Sequence, residues 1–226
     1  MTEGQFRQQI DFSWRQLKRL NLADYRVYFP DYAKVTVVSY RNLNYLDEWK
    51  KIVSNQLFDF QLTDHALLQF KRFKENGTEV FSYSYYENPF EILSYQDFLA
   101  NHDLSITETG NIFIDYYNQY VATSGKQKSI VTPTRYDYAP NQYVEGRHPV
   151  SHMHFGHCSE IRIATKRILG PLSFSLFVLR QYYPASWQRF CSRPIPRQCA
   201  GSIRQNLTLI QRQFIKPNDY HEMILD

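Results

Sequence analysis

Cysteine and glycine are scarce in this chain, and long apolar runs are missing. Three cysteines among 226 residues, Cys158, Cys191 and Cys199, make an odd number with no CxxC pair. That excludes a disulfide framework or a zinc ribbon, and predicts free thiols in a reducing compartment. No stretch approaches the roughly 18 apolar residues that a bilayer-spanning helix requires. The opening Met-Thr-Glu-Gly-Gln-Phe-Arg-Gln-Gln has neither the basic flank nor the apolar centre of a secretory signal, so a cytoplasmic protein with no membrane partner is expected. With 8 glycines and no low-complexity tract, the composition argues against disorder. A P-loop, a GxGxxG turn before a helix and a GxSxG elbow are all absent, which removes support for nucleotide-driven, dinucleotide-dependent and α/β-hydrolase chemistry.

Aromatic residues are what the chain has instead: 18 tyrosines and 16 phenylalanines, many in alternating runs such as Phe81-Ser-Tyr-Ser-Tyr-Tyr and Phe113-Ile-Asp-Tyr-Tyr-Asn-Gln-Tyr. Period-two alternation predicts half-buried strands on which tyrosine packs across to its neighbours. Segments 57–62, 66–73 and 79–85, separated by Thr63-Asp-His65 and Glu75-Asn-Gly77, predict an antiparallel meander of three consecutive strands. Helical spacing of Phe6, Ile10, Trp14 and Leu17 predicts an amphipathic helix over 5–20, and a second helix is expected over 44–54. Further strands are expected at 35–40, 111–121 and 134–138, a short helix over 89–100, and a loop over 124–129. Toward the C-terminus, apolar helices are expected over 172–183 and 185–191, and another over 203–214. The expected fold is α+β: one domain over 1–226, with an N-terminal helix and a mainly antiparallel β-meander sheet in 1–144. A histidine-rich strand pair and a basic helical part follow in 145–226.

Charge divides the same way. Residues 1–144 carry 15 basic and 17 acidic side chains, whereas 145–226 carry 11 and 5. Between Arg180 and Arg212 lie six arginines and no carboxylate. Arginine's planar fork suits phosphate, so Arg189, Arg193, Arg197 and Arg204 are candidate nucleic-acid contacts, with Tyr182, Tyr183, Trp187 and Phe190 as stacking partners. The same segment also fits a solvated face.

Four of the seven histidines fall within ten residues: His148, His152, His154 and His157. Pro149 and Gly156 disfavour a helix there, so 152–155 should be extended, with His152 and His154 on one face and 159–165 as the partner strand. Two imidazoles serving as general base and acid around a phosphodiester, with Arg162 or Arg180 stabilising the developing charge, form one reading. A zinc site is another, although the spacing matches neither zinc-finger ligands nor HExxH. The third makes the histidines structural. Histidine-triad hydrolases need three alternating imidazoles, and Phe155 and Gly156 break that pattern.

The run Arg147-His-Pro-Val-Ser-His152, with Gly156, Ile161-Arg-Ile163, Gly170-Pro-Leu-Ser173 and Phe177-Val-Leu-Arg-Gln-Tyr-Tyr183, resembles the bacterial family called domain of unknown function 2290. Leu57-Phe-Asp-Phe-Gln-Leu62, Phe81-Ser-Tyr-Ser-Tyr85 and Asn88-Pro-Phe90 extend the resemblance over most of the chain. His148, Pro149, Ser151, His152, Gly156, Arg162, Pro171 and Arg180 match the pattern; His154 and His157 stand outside it. The resemblance implies a component of a phage-defence or toxin-like system with a partner protein encoded nearby. Two functions follow as expectations. One is a nuclease with His148, His152, His154, Arg162 and Arg180 at a metal-independent site that needs no cofactor. The other is a non-catalytic adaptor for the partner protein.

Overall fold

Thr2 opens the first helix by accepting a hydrogen bond from the Gln5 amide, while the Gln5 side chain accepts from the Thr2 amide, a reciprocal cap. The computed structural model describes residues 1–32, 43–158, 161–192, 201, 207–221 and 224–225. The chain forms two compact units, Met1–Glu87 with Thr132–Asp226, and Asn88–Val131. The predicted strand at 35–40 lies outside the described residues.

The first unit opens with α1 (Glu3–Arg19), β1 (Ala23–Arg26), α2 (Tyr45–Ser54), β2 (Phe60–Leu62), β3 (Leu67–Glu75) and β4 (Thr78–Tyr86). Asn44 caps α2 through the Asp47 amide. The meander is present as its alternation predicts, although its first strand is confined to Phe60–Leu62.

The second unit contains β5 (Phe90–Glu91), α3 (Tyr95–Ala100), α4 (Ile106–Thr109), α5 (Ile114–Ser124) and β6 (Lys126–Gln127), with β5 and β6 paired antiparallel. Two expectations are corrected here. The strand at 111–121 is a helix: Tyr117 and Tyr120, three apart, both reach Phe98, an arrangement that a strand cannot make on one face. The helix over 89–100 shrinks to its second half because Pro89 and Phe90 lead into strand pairing.

The first unit then resumes with β7 (Thr134–Tyr138), β8 (Ser151–Phe155), β9 (Ile163–Thr165), α6 (Pro171–Tyr182), α7 (Pro184–Cys191) and β10 (Ile224–Leu225). Its sheet runs β1-β2-β3-β4-β7-β8-β9-β10, antiparallel throughout except that β10 joins β9 in parallel. The partner strand expected over 159–165 is only Ile163–Thr165, and Ile161 is exposed; Ser159 and Glu160 lie outside the described residues. Of the helix expected over 203–214, the described part is not α-helical. Leu209 bridges Arg167 instead, and Thr208 O and the Ile210 amide bond the backbone of Ile168 and Lys166, so a neighbouring segment satisfies these groups. Cys158 and Cys191 are free thiols; Cys199 lies outside the described residues.

One face of this sheet is apolar. Phe70, Phe81, Tyr83, Tyr85, Tyr136 and Met153 project from it into a core shared with Phe6, Ile10 and Leu17 of α1, Phe174 and Val178 of α6 and Phe190 of α7. Tyr83 and Phe174 have ring centroids 5.8 Å apart, and Phe70 meets Phe174 at right angles. Ser151 ties this layer to the next: its Oγ lies 2.9 Å from the Tyr136 hydroxyl, 2.7 Å from Thr165 Oγ1, and donates to the Arg167 carbonyl. Ser151→Ala is expected to destabilise the protein by about 1–3 kcal/mol, because buried hydroxyls lose their partner. Denaturant unfolding measures this, and an unchanged midpoint would show that the network is dispensable.

Candidate active site

Alternation dictates that the opposite face is polar. Opposed residues in register across four strands make two rows: Lys71, Ser82, Asp137 and His152, and beside it Gln69, Ser84, Arg135 and His154. Above them lies a cavity of about 510 Å³. Its wall includes these side chains apart from His152, together with Glu48 of α2 and, from the loops around β8, His148, His157 and Arg162. Gly156 ends β8 at φ +88°, a left-handed conformation natural to glycine, and its amide donates to the Pro133 carbonyl. The turn delivers His157 to α2, where Nε2 lies 2.9 Å from Glu48 Oε2.

At the centre stands Asp137. Its Oδ1 accepts from Ser82 Oγ at 2.8 Å. Its Oδ2 accepts from Arg135 Nε at 2.8 Å and lies 3.5 Å from His154 Nε2 and 3.9 Å from His152 Nε2. Burial acts to raise its pKa, but the hydrogen bond from His154, the Arg135 guanidinium and the Ser82 hydroxyl prevail and hold it well below the usual carboxylate range.

The imidazoles differ in access. His152 is 1% exposed and His154 4%, whereas His148 is half-buried at the cavity wall. His152 Nδ1 lies 2.7 Å from the Pro149 carbonyl, which can only accept, so Nδ1 carries a proton. Its ring meets those of His148 and His154 edge to face, with centroids 4.9 and 4.8 Å away. Burial pushes the His152 pKa down to about 4, against the pull of Asp137. Burial and then the Arg162 charge lower that of His148, and burial lowers that of Lys71.

A pH dependence follows. His152 takes up its proton near pH 6.5 when unfolded but only near pH 4 when folded, so between these values the unfolded chain binds more protons. Stability is therefore fully present above about pH 6.5 and falls as the pH drops toward 4. Asp137, depressed in the folded state, adds a further loss below about pH 4. Thermal melts across this range should show the decline, and His152→Asn should flatten its upper part; parallel curves would assign the acid sensitivity elsewhere.

Of the residues singled out in the sequence, the structure brings His148, His154 and Arg162 to one cavity with His152 enclosed behind them. Arg180 stands apart. It is exposed on α6, with its guanidinium 5.9 Å from the Trp187 ring centroid, and α6 packs on the apolar face while the histidines project from the other. Arg189 is exposed on α7 and donates to Ser186 Oγ and the Leu20 carbonyl; Arg193, Arg197 and Arg204 lie outside the described residues. Lys71, Arg135, Asp137 and Glu48 were not singled out. The signal for three of them was the polar half of the alternation, as in Thr134-Arg-Tyr-Asp-Tyr138, on strands in the middle of the sheet.

Fold and site together define an α+β protein with a helix-covered apolar sheet face and a polar, cation-rich cavity on the other. The chain belongs to the family described as uncharacterized conserved protein (DUF2290), whose model matches residues 11–221. No curated protein and no solved structure matches it. Among the described residues, no helix is long and apolar enough to cross a membrane.

Proposed function

We propose that the cavity binds and cleaves a phosphodiester of nucleic acid, in the cytoplasm, as part of a bacterial phage-defence or toxin-like system. The observation that carries this reading is the charge of the cavity wall. Lys71, Arg135 and Arg162 line it together with His148, His154 and His157, against two carboxylates, Glu48 and Asp137. Both carboxylates already have partners, Glu48 in His157 and Asp137 in Arg135. An excess of cations in a partly desolvated pocket favours a phosphate anion, and the volume suits a ligand of nucleotide size.

His148 is the proton-transfer group, since it borders the cavity and its lowered pKa keeps it neutral and able to accept a proton at neutral pH. Lys71, Arg135 and Arg162 hold the phosphoryl oxygens and stabilise the charge that develops there. His152, enclosed and bonded to Pro149, is a positioning residue for its neighbours. Arg180 and Arg189 add charge for attracting the polyanion at long range and take no part at the cavity.

Incubating the purified protein with single- and double-stranded RNA and DNA tests the proposal. Cleavage of at least one substrate, lost in Lys71→Ala and Arg162→Ala, is the expected result. A preparation inert on all of them, alone and with its genomic neighbour's product, would overturn it. The adaptor reading, with a partner protein encoded nearby, draws on the enclosure of Ser151 and His152, since these motif positions serve architecture.

A further inference from the structure

We propose that Asp137, His152 and His154 bind a divalent first-row transition-metal ion, with zinc as the leading occupant and the remaining coordination positions opening toward the cavity. The proposal goes beyond phosphodiester chemistry and rests on coordination geometry alone, so it stands or falls independently of what the cavity cleaves.

Strand register assembles the ligand set. His152 lies directly opposite Asp137 in the β7–β8 pair, and His154, two residues further on, shares its face. One donor atom from each of the three lies within 4.8 Å of the others. Around a metal with bonds of about 2.0–2.2 Å, donor atoms stand roughly 3–3.5 Å apart. The separations from Asp137 Oδ2, 3.5 Å to His154 Nε2 and 3.9 Å to His152 Nε2, need a closure of at most about half an ångström to meet this.

The tautomer of His152 supplies the second observation. With its Nδ1 proton donated to the Pro149 carbonyl, the neutral ring presents the Nε2 lone pair toward a carboxylate oxygen. Two acceptors then face each other in the interior with no proton between them to share. An ion between them takes up the His152 lone pair and becomes a further partner of Asp137, which already accepts from Ser82 and Arg135. The backbone carbonyl behind His152 is the kind of outer partner that orients a metal-binding imidazole. Mixed imidazole and carboxylate donors select zinc, iron, nickel or copper over magnesium, which prefers oxygen alone.

Two groups oppose the ion: the His154 imidazole, whose hydrogen bond to Asp137 must give way before its Nε2 can serve as a ligand, and Arg135. Arg135 donates to the same Asp137 oxygen, and its side chain, half exposed, must swing toward solvent as the metal takes that oxygen. Arg135 is therefore a built-in competitor, and removing it should tighten binding.

Cobalt(II) titration of the full chain tests the assignment, because a protein-bound ion shows visible d–d absorption that zinc then displaces. The expected result is a saturable spectrum at one equivalent per chain, lost in His154→Gln and in His152→Gln and shifted to lower cobalt concentration in Arg135→Met. Should the histidine variants fail to fold, Arg135→Met decides, since unchanged affinity there overturns the proposal. So does an absence of any saturable spectrum in the native chain, the result expected if water alone bridges His152 and Asp137. A spectrum abolished by Cys158→Ala and retained by the histidine variants would place the ion at the thiol and overturn it equally. Binding without nuclease activity supports the metal site while refuting the cleavage reading, and activity without binding does the reverse.

Discussion

Replacing His148 with glutamine is expected to slow phosphodiester cleavage by about 10²–10⁴-fold, the range for loss of a general acid or base, while leaving the melting temperature unchanged. The two halves of that expectation come from different atoms. The backbone of His148 is held by reciprocal hydrogen bonds with Val144, at 3.0 and 2.8 Å, and these survive any change of side chain. The imidazole borders the cavity beside Arg162, where it can reach a bound phosphodiester. Glutamine retains polarity and similar reach but cannot exchange a proton near neutral pH. Single-turnover cleavage with melting curves on the same preparations measures both halves. A folded variant with undiminished rate would remove His148 from the chemistry and return attention to His154.

Phe174→Ala should produce the largest loss of stability, about 3–5 kcal/mol, or a fall in melting temperature of about 10 °C for a chain of this size. Phe174 is fully buried at the point where α6 meets the aromatic face, in contact with both Phe70 and Tyr83. Truncation removes a ring from between two others that are fixed in their own strands, so the gap cannot easily collapse. Chemical denaturation gives the number directly. A change below about 1 kcal/mol would mean that the helix resettles onto the sheet.

The meander was legible because Phe81, Tyr83 and Tyr85 alternate with small polar residues at the period of a strand, and the turns between strands carry Thr63-Asp-His65 and then Asn76-Gly77. The first helix was legible through the apolar spacing of Phe6, Ile10, Trp14 and Leu17, and the second through its start at Asn44; the Thr2 cap of the first is a finding of the structure. Tyr116 and Tyr117 misled, since adjacent aromatics satisfy a strand pattern and a helix pattern equally; the contacts of Tyr117 and Tyr120 with Phe98 decide for the helix. The described part of 203–214 misled for the opposite reason. Leu207, Ile210 and Phe214, at helical spacing there, are overridden by backbone hydrogen bonds to Lys166 and Ile168.

The site was half legible. Four imidazoles in ten residues marked the segment, and Pro149 and Gly156 made it a strand. Asp137 and Lys71 could not be joined to it from sequence, because they sit 15 and 81 positions before His152 and meet it only through strand register.

What the sequence determined by itself was the local conformation of most elements and the division of each central strand into an aromatic and a polar side, since both depend on neighbours a few positions away. Only the tertiary structure decided that helices α1, α6 and α7 take the aromatic side. That choice separates Arg180 from the histidines and encloses His152, and it leaves Lys71, Arg135, Asp137, His148 and His154 around one cavity. The physical reason is that alternation specifies two faces without saying which strands lie side by side. Hydrogen-bonded register, set by the burial of the whole apolar face at once, places distant polar residues in one row.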